Sequence, residues 1–292
     1  MEDKNMTALV SAFVRCYHQK NSNIKIYNDN YSTKIITEEE YNNIIENMSK
    51  QIKFFNPNFR GNQQEAIDWI VNNQLAPSVI ARSAFCKHSL DIAIKIGCRE
   101  YLVYASGYDT SALNQNIKCF EIDKPEMIED KINRLKSNNI NIDNIEFIKA
   151  NFEKAKWINN ILNSSYNQNL ISFNSLLGIS YYLTREKFSN MIKEISNIIC
   201  EGSSILFDFQ TVEKSKETLI NEKLAKAAGE EMKSKYTYED IENILTENGL
   251  KIYEYLDDKK VTQEYFYNYN TLNPNNRIIV PKGVAYILAI KK

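Results

Sequence analysis

The feature that most constrains the fold is an alternation of short apolar runs with longer helical patterns, which begins near residue 101. The runs have the length and composition of strands that are buried in a parallel sheet. They lie at residues 101–105, 117–122, 146–149, 169–174 and 203–209, and the helical patterns between them lie at 124–137, 153–163 and 184–200. Strands that alternate with helices form βαβ units, so we predict an α/β fold with a doubly wound, mostly parallel sheet.

The remainder of the chain completes this sheet. A charged helical pattern at 212–235 precedes a further helix at 237–248, and strands are expected at 251–255 and 283–290. We expect a polar loop rich in Asn and Tyr between these two strands. Because that loop shows no crossover helix, the last strand is predicted to pair antiparallel. The sheet then has about seven strands.

The first 97 residues carry helical patterns and no strand signal. Apolar residues recur at helical spacing in 7–20, 63–74 and 78–96, and Thr37 begins a capping box for a helix that extends to about Lys53. We therefore expect residues 1–97 to form a helical cap over the ligand-binding edge of the sheet. The core is predicted to comprise residues 98–292, with a cap insertion near 212–235.

Charge and composition exclude several classes of partner. The chain has 36 Lys and Arg against 37 Asp and Glu, a net charge of −1, which argues against a broad electrostatic surface for nucleic acid or acidic membranes. It has no apolar stretch of the roughly 18 residues that a membrane span needs, and its first five residues do not resemble a secretory signal. A cytoplasmic protein is expected. Five scattered cysteines and two histidines show no metal-binding spacing.

Small and polar residues follow three of the predicted strands. In open α/β sheets ligands bind beyond the carboxyl ends of the strands, so these residues suggest an adenosine site: a glycine turn, an acidic ribose partner and an adenine contact. Turn glycines, helix caps and solvated carboxylates would give the same spacing. No dinucleotide or triphosphate glycine fingerprint is present. The residues concerned are Ala105, Ser106, Gly107, Glu121, Asp123, Asn151 and Phe152.

Five motifs in this order resemble those of the leucine carboxyl methyltransferase family, which includes many bacterial S-adenosyl-L-methionine-dependent O-methyltransferases. They are residues 81–85 (ARSAF), 105–110 (ASGYDT), 120–125 (FEIDKP), 147–157 and 177–184 (LGISYYLT), and the opening segment 7–13 is similar as well. The resemblance implies a class I methyltransferase-like fold with S-adenosyl-L-methionine as cofactor. It also implies methyl transfer to a carboxylate or hydroxyl oxygen of a small-molecule acceptor. Because the net charge is close to zero, we expect neither nucleic acid nor a membrane as partner.

The resemblance also implies a role for each motif. Arg82 would pair with the methionine carboxylate of the cofactor, a bidentate contact that suits a guanidinium. Glu121 would hold the ribose hydroxyls, with Asp123 as the other candidate for that role. The other implied contacts are backbone lining by Ala105, Ser106 and Gly107, adenine contacts by Asn151 and Phe152, and a place near the transferred methyl for Tyr182.

Three departures from the family pattern suggest an alternative function. The chain has Ala105 where the family commonly has Gly, Ser111 where it has Arg, and Asn151 where it has Asp. A non-catalytic or weakly active S-adenosyl-L-methionine-binding protein is the alternative. A nicotinamide oxidoreductase is disfavoured by the missing fingerprint. No catalytic residue can be named, because His18 and His88 are more typical of structural histidines, and the lack of a base favours an acceptor that is acidic already.

Overall fold

Seven strands form one sheet in the computed structural model, which describes residues 6–292. Their order across the sheet is β3-β2-β1-β4-β5-β7-β6, and β7 pairs antiparallel with both β5 and β6 while every other pairing is parallel. The strands are β1 (Glu100–Tyr104), β2 (Lys118–Asp123), β3 (Ile145–Lys149), β4 (Ser172–Leu176), β5 (Ser204–Gln210), β6 (Leu250–Leu256) and β7 (Val284–Lys291). The predicted fold class is thereby confirmed. The expectation about a secretory signal falls on residues 1–5, outside the described residues.

Helices cover both faces of this sheet. Those before it are α1 (Met6–Asn21), α2 (Ser32–Ile35), α3 (Glu38–Lys50), α4 (Ile52–Phe55), α5 (Gln63–Ile70) and α6 (Ala76–Lys95), with a π-helical turn, Val71–Leu75, between the last two. The later ones are α7 (Pro125–Ser137), α8 (Asn159–Leu162), α9 (Arg185–Ile198), α10 (Lys216–Ala227), α11 (Tyr238–Glu247) and α12 (Asp258–Leu272). None of the described helices has the length and apolarity needed to cross a membrane.

Capping explains where α3 begins. The Thr37 hydroxyl accepts a hydrogen bond from the Glu40 backbone N–H, and the Glu40 carboxylate accepts one from the Thr37 N–H. This is the predicted capping box, and it satisfies two backbone donors that would otherwise lack partners. The helical patterns predicted at 63–74 and 78–96 form α5, the π-helical turn and α6 without a break.

Three predictions of local structure were wrong. The expected polar loop between the last two strands is α12, where the Asp257 carboxylate caps the first turn and Phe266 is buried. Its asparagines and tyrosines have modest helix propensity, so tertiary packing overrides the local signal. The helix predicted at 153–163 reduces to α8, because Lys156 has a φ of +64° that a right-handed helix cannot include. The strand expected at 169–174 forms three residues later.

Two apolar clusters bury the two faces of the sheet. The first joins the N-terminal helices to the strands, through residues such as Phe13, Phe85 and Tyr101. The second packs α9 and α11 against the other face, with Phe188 and Phe207 fully buried in it. Because the first cluster is continuous from α1 to the sheet, the N-terminal helices share their core with the strands. The division into a cap of residues 1–97 and a core of 98–292 stays a prediction.

His18 is a structural residue of α1. Its Nε2 accepts a hydrogen bond from the Ile26 backbone N–H at 3.0 Å, and its Nδ1 lies 2.9 Å from the Ser22 hydroxyl. These contacts require a neutral ring, because a protonated Nε2 cannot accept. Burial, together with the positive charge of Lys25, lowers the pKa of His18 to about 4.

We expect His18 to make folding stability sensitive to mild acid. Since its folded pKa lies below its unfolded value, its contribution is complete above about pH 6.5 and is lost as the pH falls toward 4. We expect the free energy of unfolding in urea to fall between pH 7 and pH 5 by about 2 kcal/mol more for wild type than for His18→Gln. The Gln side chain keeps an acceptor for the Ile26 N–H. Equal losses in both proteins would contradict this assignment.

Candidate functional site

A cavity of about 1190 Å³ lies where the carboxyl ends of the strands meet the N-terminal helices. The ends of β1, β2 and β5 contribute to its wall, as do the segments that follow β3 and β4. Residues of α1, α3, α6 and α10 line it from the other side. This is the edge at which ligands bind in open α/β sheets, as the sequence predicted.

The cavity brings together residues from all the strand-end motifs. Eight of the nine predicted site residues line it, namely Arg82, Ala105, Ser106, Gly107, Asp123, Asn151, Phe152 and Tyr182. Glu121 is not among the lining residues. Residues that the sequence analysis did not single out also line the cavity, above all Ser11, Tyr181 and Asp208. Ser11 and Tyr181 fall within the motif segments, whereas Asp208 had no local signal beyond its position at a strand end.

The turn after β1 is a tight backbone cradle. Gly107 has a φ of +46°, and a Cβ at this position would lie 3.1 Å from the Cβ of Ala8 in α1. Its N–H donates to Oδ2 of Asp123 at 2.7 Å, and the Lys124 N–H donates to Oδ1 at 2.7 Å. Burial raises the pKa of Asp123, while these two backbone donors oppose that rise. The Ser106 hydroxyl beside them is buried and has no hydrogen-bond partner.

Arg82 of α6 is held at the cavity wall by groups from three other segments. Its guanidinium donates to the Tyr181 hydroxyl at 3.1 Å and to the Ser11 hydroxyl at 3.0 Å, and Nη1 lies 3.6 Å from Oδ2 of Asp208. Burial acts to lower the pKa of Arg82, but Tyr181 and Asp208 raise it above its ordinary value, so the group stays cationic.

Gly178 explains how the guanidinium fits. A Cβ at this position would lie 2.6 Å from Nη1 of Arg82, and the residue has a φ of +71°. Only glycine satisfies both the close approach and this backbone conformation. The Gly178 N–H donates to Oδ1 of Asp208 at 2.6 Å, so the same carboxylate orients the turn after β4 and faces Arg82.

Aromatic side chains form another part of the wall. The Phe152 ring packs edge-on against Trp157, with centroids 4.9 Å apart, and lies 6.5 Å from Tyr104. Asn151 precedes it and accepts a hydrogen bond from the Glu153 N–H at 2.9 Å. The half-buried Tyr182 lies elsewhere on the wall, and burial reinforced by Glu230 raises its pKa to about 12. Tyr182 is therefore a neutral phenol near neutral pH.

The structure places Glu121 beneath the site instead of in it. Its Oε2 lies 2.5 Å from Nζ of Lys131 on α7, and both side chains are completely buried. Glu121 and Asp123 share one face of β2 because side chains alternate along a strand. The difference between them is depth, since Glu121 is covered whereas Asp123 reaches the cavity. Burial raises the pKa of Glu121, and Lys131 opposes that rise.

The two histidines and five cysteines do not line the cavity. None of the described residues that line it is a histidine. His88 packs edge-on against Tyr265, with ring centroids 6.2 Å apart. All five cysteines are free thiols. Within residues 6–292, no cluster of three His, Cys, Asp or Glu side chains is arranged to hold a metal ion.

Comparison with known proteins identifies the family. Residues 8–196 match the leucine carboxyl methyltransferase family. The chain belongs to this family. The YktD protein of Bacillus subtilis, named as a candidate S-adenosyl-L-methionine-dependent methyltransferase, is 31% identical over 306 aligned residues that cover 99% of each chain. S-adenosyl-L-methionine is the methyl donor of such methyltransferases, so the predicted family and cofactor are confirmed.

Solved structures agree on the fold. A DUF574 family protein from Streptomyces avermitilis superposes with a TM-score of 0.61 at 12% identity, covering 97% of both chains. A candidate methyltransferase from Thermobifida fusca gives 0.55 at 13% identity, covering 96% of this chain and 94% of its own. At such low identity these likenesses concern the fold alone.

Ala105 occupies a backbone conformation that favours glycine. Its φ is +51°, in the left-handed region, which costs a residue with a Cβ about 1–2 kcal/mol. Its methyl packs against the apolar cluster on the α9 face of the sheet. The family glycine that the sequence lacks thus corresponds to a real conformational demand.

We expect Ala105→Gly to leave the free energy of unfolding within about 0.5 kcal/mol of wild type, because relief of the left-handed strain offsets the lost methyl and the added backbone entropy. Ala93→Gly, at a comparably half-buried position inside α6, should lose about 1 kcal/mol. Denaturant unfolding of both variants measures the contrast. Equal destabilisation would show that Ala105 is not strained.

Proposed function

We propose that this chain binds S-adenosyl-L-methionine in the cavity and transfers its methyl group to a carboxylate or hydroxyl oxygen of a small molecule. The observation that carries the proposal is the presence of two opposite, oriented charges among the residues that line the cavity. Arg82 offers a fixed guanidinium, and Asp123 offers a carboxylate that backbone N–H groups hold in place. The cofactor has the complementary groups, namely a carboxylate and a ribose diol.

The donor set of the cavity fits this cofactor. Arg82 suits the carboxylate of its methionine moiety, because a guanidinium binds carboxylates through two parallel hydrogen bonds. The unpartnered Ser106 hydroxyl gains a partner when a polar ligand binds the turn. The absence of a side chain at Gly107 lets the backbone approach a ligand closely. Phe152 offers an aromatic edge beside Asn151, whose carbonyl oxygen suits an exocyclic amine.

We assign the ribose hydroxyls to Asp123. Each oxygen of this carboxylate already accepts one backbone hydrogen bond and has a further lone pair available. Glu121, the other candidate, has no access to the cavity and is paired with Lys131. We assign Glu121 instead to the support of β2 beneath the turn.

The acceptor is expected to be acidic. Arg82 and Asp123 would hold the cofactor, which would supply an electrophilic methyl on a cationic sulfur for transfer to an acceptor oxygen. The protein aligns the two reactants and keeps water out. With no histidine among the described lining residues, and with Tyr182 neutral, an acceptor that is already ionised is favoured. A carboxylate meets this condition at neutral pH.

Methyl transfer tests the function directly. We expect purified protein to transfer label from S-adenosyl-L-methionine to at least one member of a panel of small carboxylic acids. Arg82→Lys keeps the positive charge but loses the planar guanidinium that can make two parallel hydrogen bonds. Cofactor affinity should therefore fall roughly 10- to 100-fold. Arg185→Lys, at an exposed position at the start of α9 and outside the cavity, should leave it unchanged.

A decarboxylated analogue of the demethylated cofactor sharpens the test. It should bind wild type more weakly than S-adenosylhomocysteine does, and this difference in affinity should be smaller for Arg82→Lys. If the difference in affinity is the same in both proteins, Arg82 is not the carboxylate partner. Cofactor binding without transfer to any acceptor would favour the non-catalytic alternative.

Asp123→Asn and Glu121→Gln form a matched pair for the ribose assignment. We expect Asp123→Asn to weaken S-adenosylhomocysteine binding about tenfold, because charged acceptors bind hydroxyls more strongly than amides do. Glu121→Gln should leave that affinity within about threefold while lowering stability by about 3 kcal/mol, since Lys131 loses its buried partner. Calorimetry and urea unfolding give the two readouts. If instead Glu121→Gln weakens binding and Asp123→Asn does not, the ribose hydroxyls are bound by Glu121.

A further inference from the structure

The cavity is larger than one ligand requires. Pockets that hold a drug-sized molecule measure roughly 300–1,000 Å³, and this cavity measures about 1190 Å³. The residues assigned to the cofactor lie at the ends of β1 and β2 and after β3, together with Arg82. A second region of the wall, formed by the end of β5, the start of β7, α10 and the π-helical turn with the start of α6, has no role in that assignment.

Direct contacts join these elements into one surface. Gln210 is the register partner of Val284 across the β5–β7 pair, so the two side chains share a face. Gln74 of the π-helical turn donates from Nε2 to Oδ1 of Asn221 and to the Glu217 carbonyl oxygen of α10, each at 2.7 Å. We call this surface the α10 wall and define it by six lining residues: Gln74, Leu75, Val79, Gln210, Asn221 and Leu224.

The α10 wall is apolar with amide groups and has no charged member. Leu75, Val79 and Leu224 supply aliphatic surface. Such a wall suits a neutral, apolar body and disfavours polyanions and polyamines, because it leaves their charges unpaired. The charges needed for the cofactor lie elsewhere, on Arg82 and Asp123.

One amide of the wall has a fixed orientation and an unused acceptor. Nε2 of Gln210 donates to Oε1 of Glu222 at 2.7 Å, and Nζ of Lys235 lies 2.7 Å from the same oxygen. The side-chain carbonyl oxygen of Gln210, Oε1, is therefore the unpaired end of this amide. It is buried and has no hydrogen-bond partner, and the residue is 4% exposed. An unpaired buried acceptor is unfavourable until a donor reaches it.

We propose that the α10 wall holds the methyl acceptor, and that Gln210 recognises a hydroxyl or N–H group on the apolar body of that acidic acceptor. The proposal rests on the proposed function, which assigns the cofactor to Arg82 and to residues at the ends of β1, β2 and β3. Gln210 lies on the same face of β5 as Asp208, the partner of Arg82, so the wall adjoins the cofactor region. Because Oε1 of Gln210 is buried, the ligand's donor reaches it only after the Gln210 side chain moves toward the cavity that the residue lines.

Matched ligands separate recognition by Gln210 from general apolar binding. The probe is cis-parinaric acid, a fluorescent fatty acid, displaced in the presence of S-adenosylhomocysteine by dodecanoic acid or by its monohydroxy derivatives with the hydroxyl at successive carbons. We expect wild type to bind the probe and to prefer at least one hydroxy acid over dodecanoic acid about tenfold. Gln210→Met should abolish that preference and bind dodecanoic acid at least as well.

Control variants make the result specific. Asn72→Leu removes an amide of the same π-helical turn that does not line the cavity, and the hydroxyl preference should survive. Glu222→Gln lies at a partly exposed site and frees the Gln210 amide to turn, so it should reduce the preference even if Gln210→Met fails to fold. A purely structural role for Gln210 would weaken both ligands equally.

Several results would overturn the proposal. They are an absence of probe binding, an absence of preference for any hydroxyl position in wild type, and a preference that persists in both Gln210→Met and Glu222→Gln. Calorimetry with S-adenosylhomocysteine and labelled methyl transfer are measured separately. Loss of the proposed function would therefore appear as missing cofactor binding or transfer, whatever the displacement result.

Discussion

A single buried guanidinium joins the parts of this protein on which the site depends. Arg82 comes from α6, and its partners come from α1, from the turn after β4 and from β5, as Ser11, Tyr181 and Asp208. Because each partner belongs to a different segment, the contacts fix the N-terminal helices against the sheet edge. A cation with fixed partners is already oriented for a carboxylate ligand, which reduces the entropy lost on binding.

A second buried cation fixes the turn after β1 in a similar way. Arg15 of α1 donates to Asp29 at 2.9 Å and to the Tyr108 carbonyl oxygen at 2.6 Å, and the Thr110 hydroxyl donates to the same Asp29 carboxylate at 2.7 Å. The turn is thus bonded to Arg15 and Asp29 of the N-terminal region on one side and to Asp123 on the other. Strained backbone at Ala105 persists because these surrounding contacts determine its conformation.

The sequence predicted the strands of the sheet well, but it did not predict which strand-end side chains reach the cavity and which are covered. Apolar runs mark buried strands because parallel strands need apolar side chains on both faces, which is why the parallel strands β1 to β5 were found. Period-two alternation places Glu121 and Asp123 on one face but says nothing of what covers each. That depends on Lys131 of α7, a contact between residues ten apart that no local pattern reveals. In α12, long-range burial of Phe266 likewise outweighed weak helix propensity.

The family match covers the cofactor residues but only half of the α10 wall, namely Gln74, Leu75 and Val79. The matched residues, 8–196, contain every side chain assigned to the cofactor, from Arg82 to Phe152. Gln210, Asn221 and Leu224 of the α10 wall lie beyond them. The cofactor supplies the reactive methyl whatever the acceptor is, so acceptor choice rests on side chains that the shared motifs do not include. Membership of the family therefore constrains the donor in this protein, and the acceptor must be argued from the shape and the unpaired amide oxygen of the wall itself.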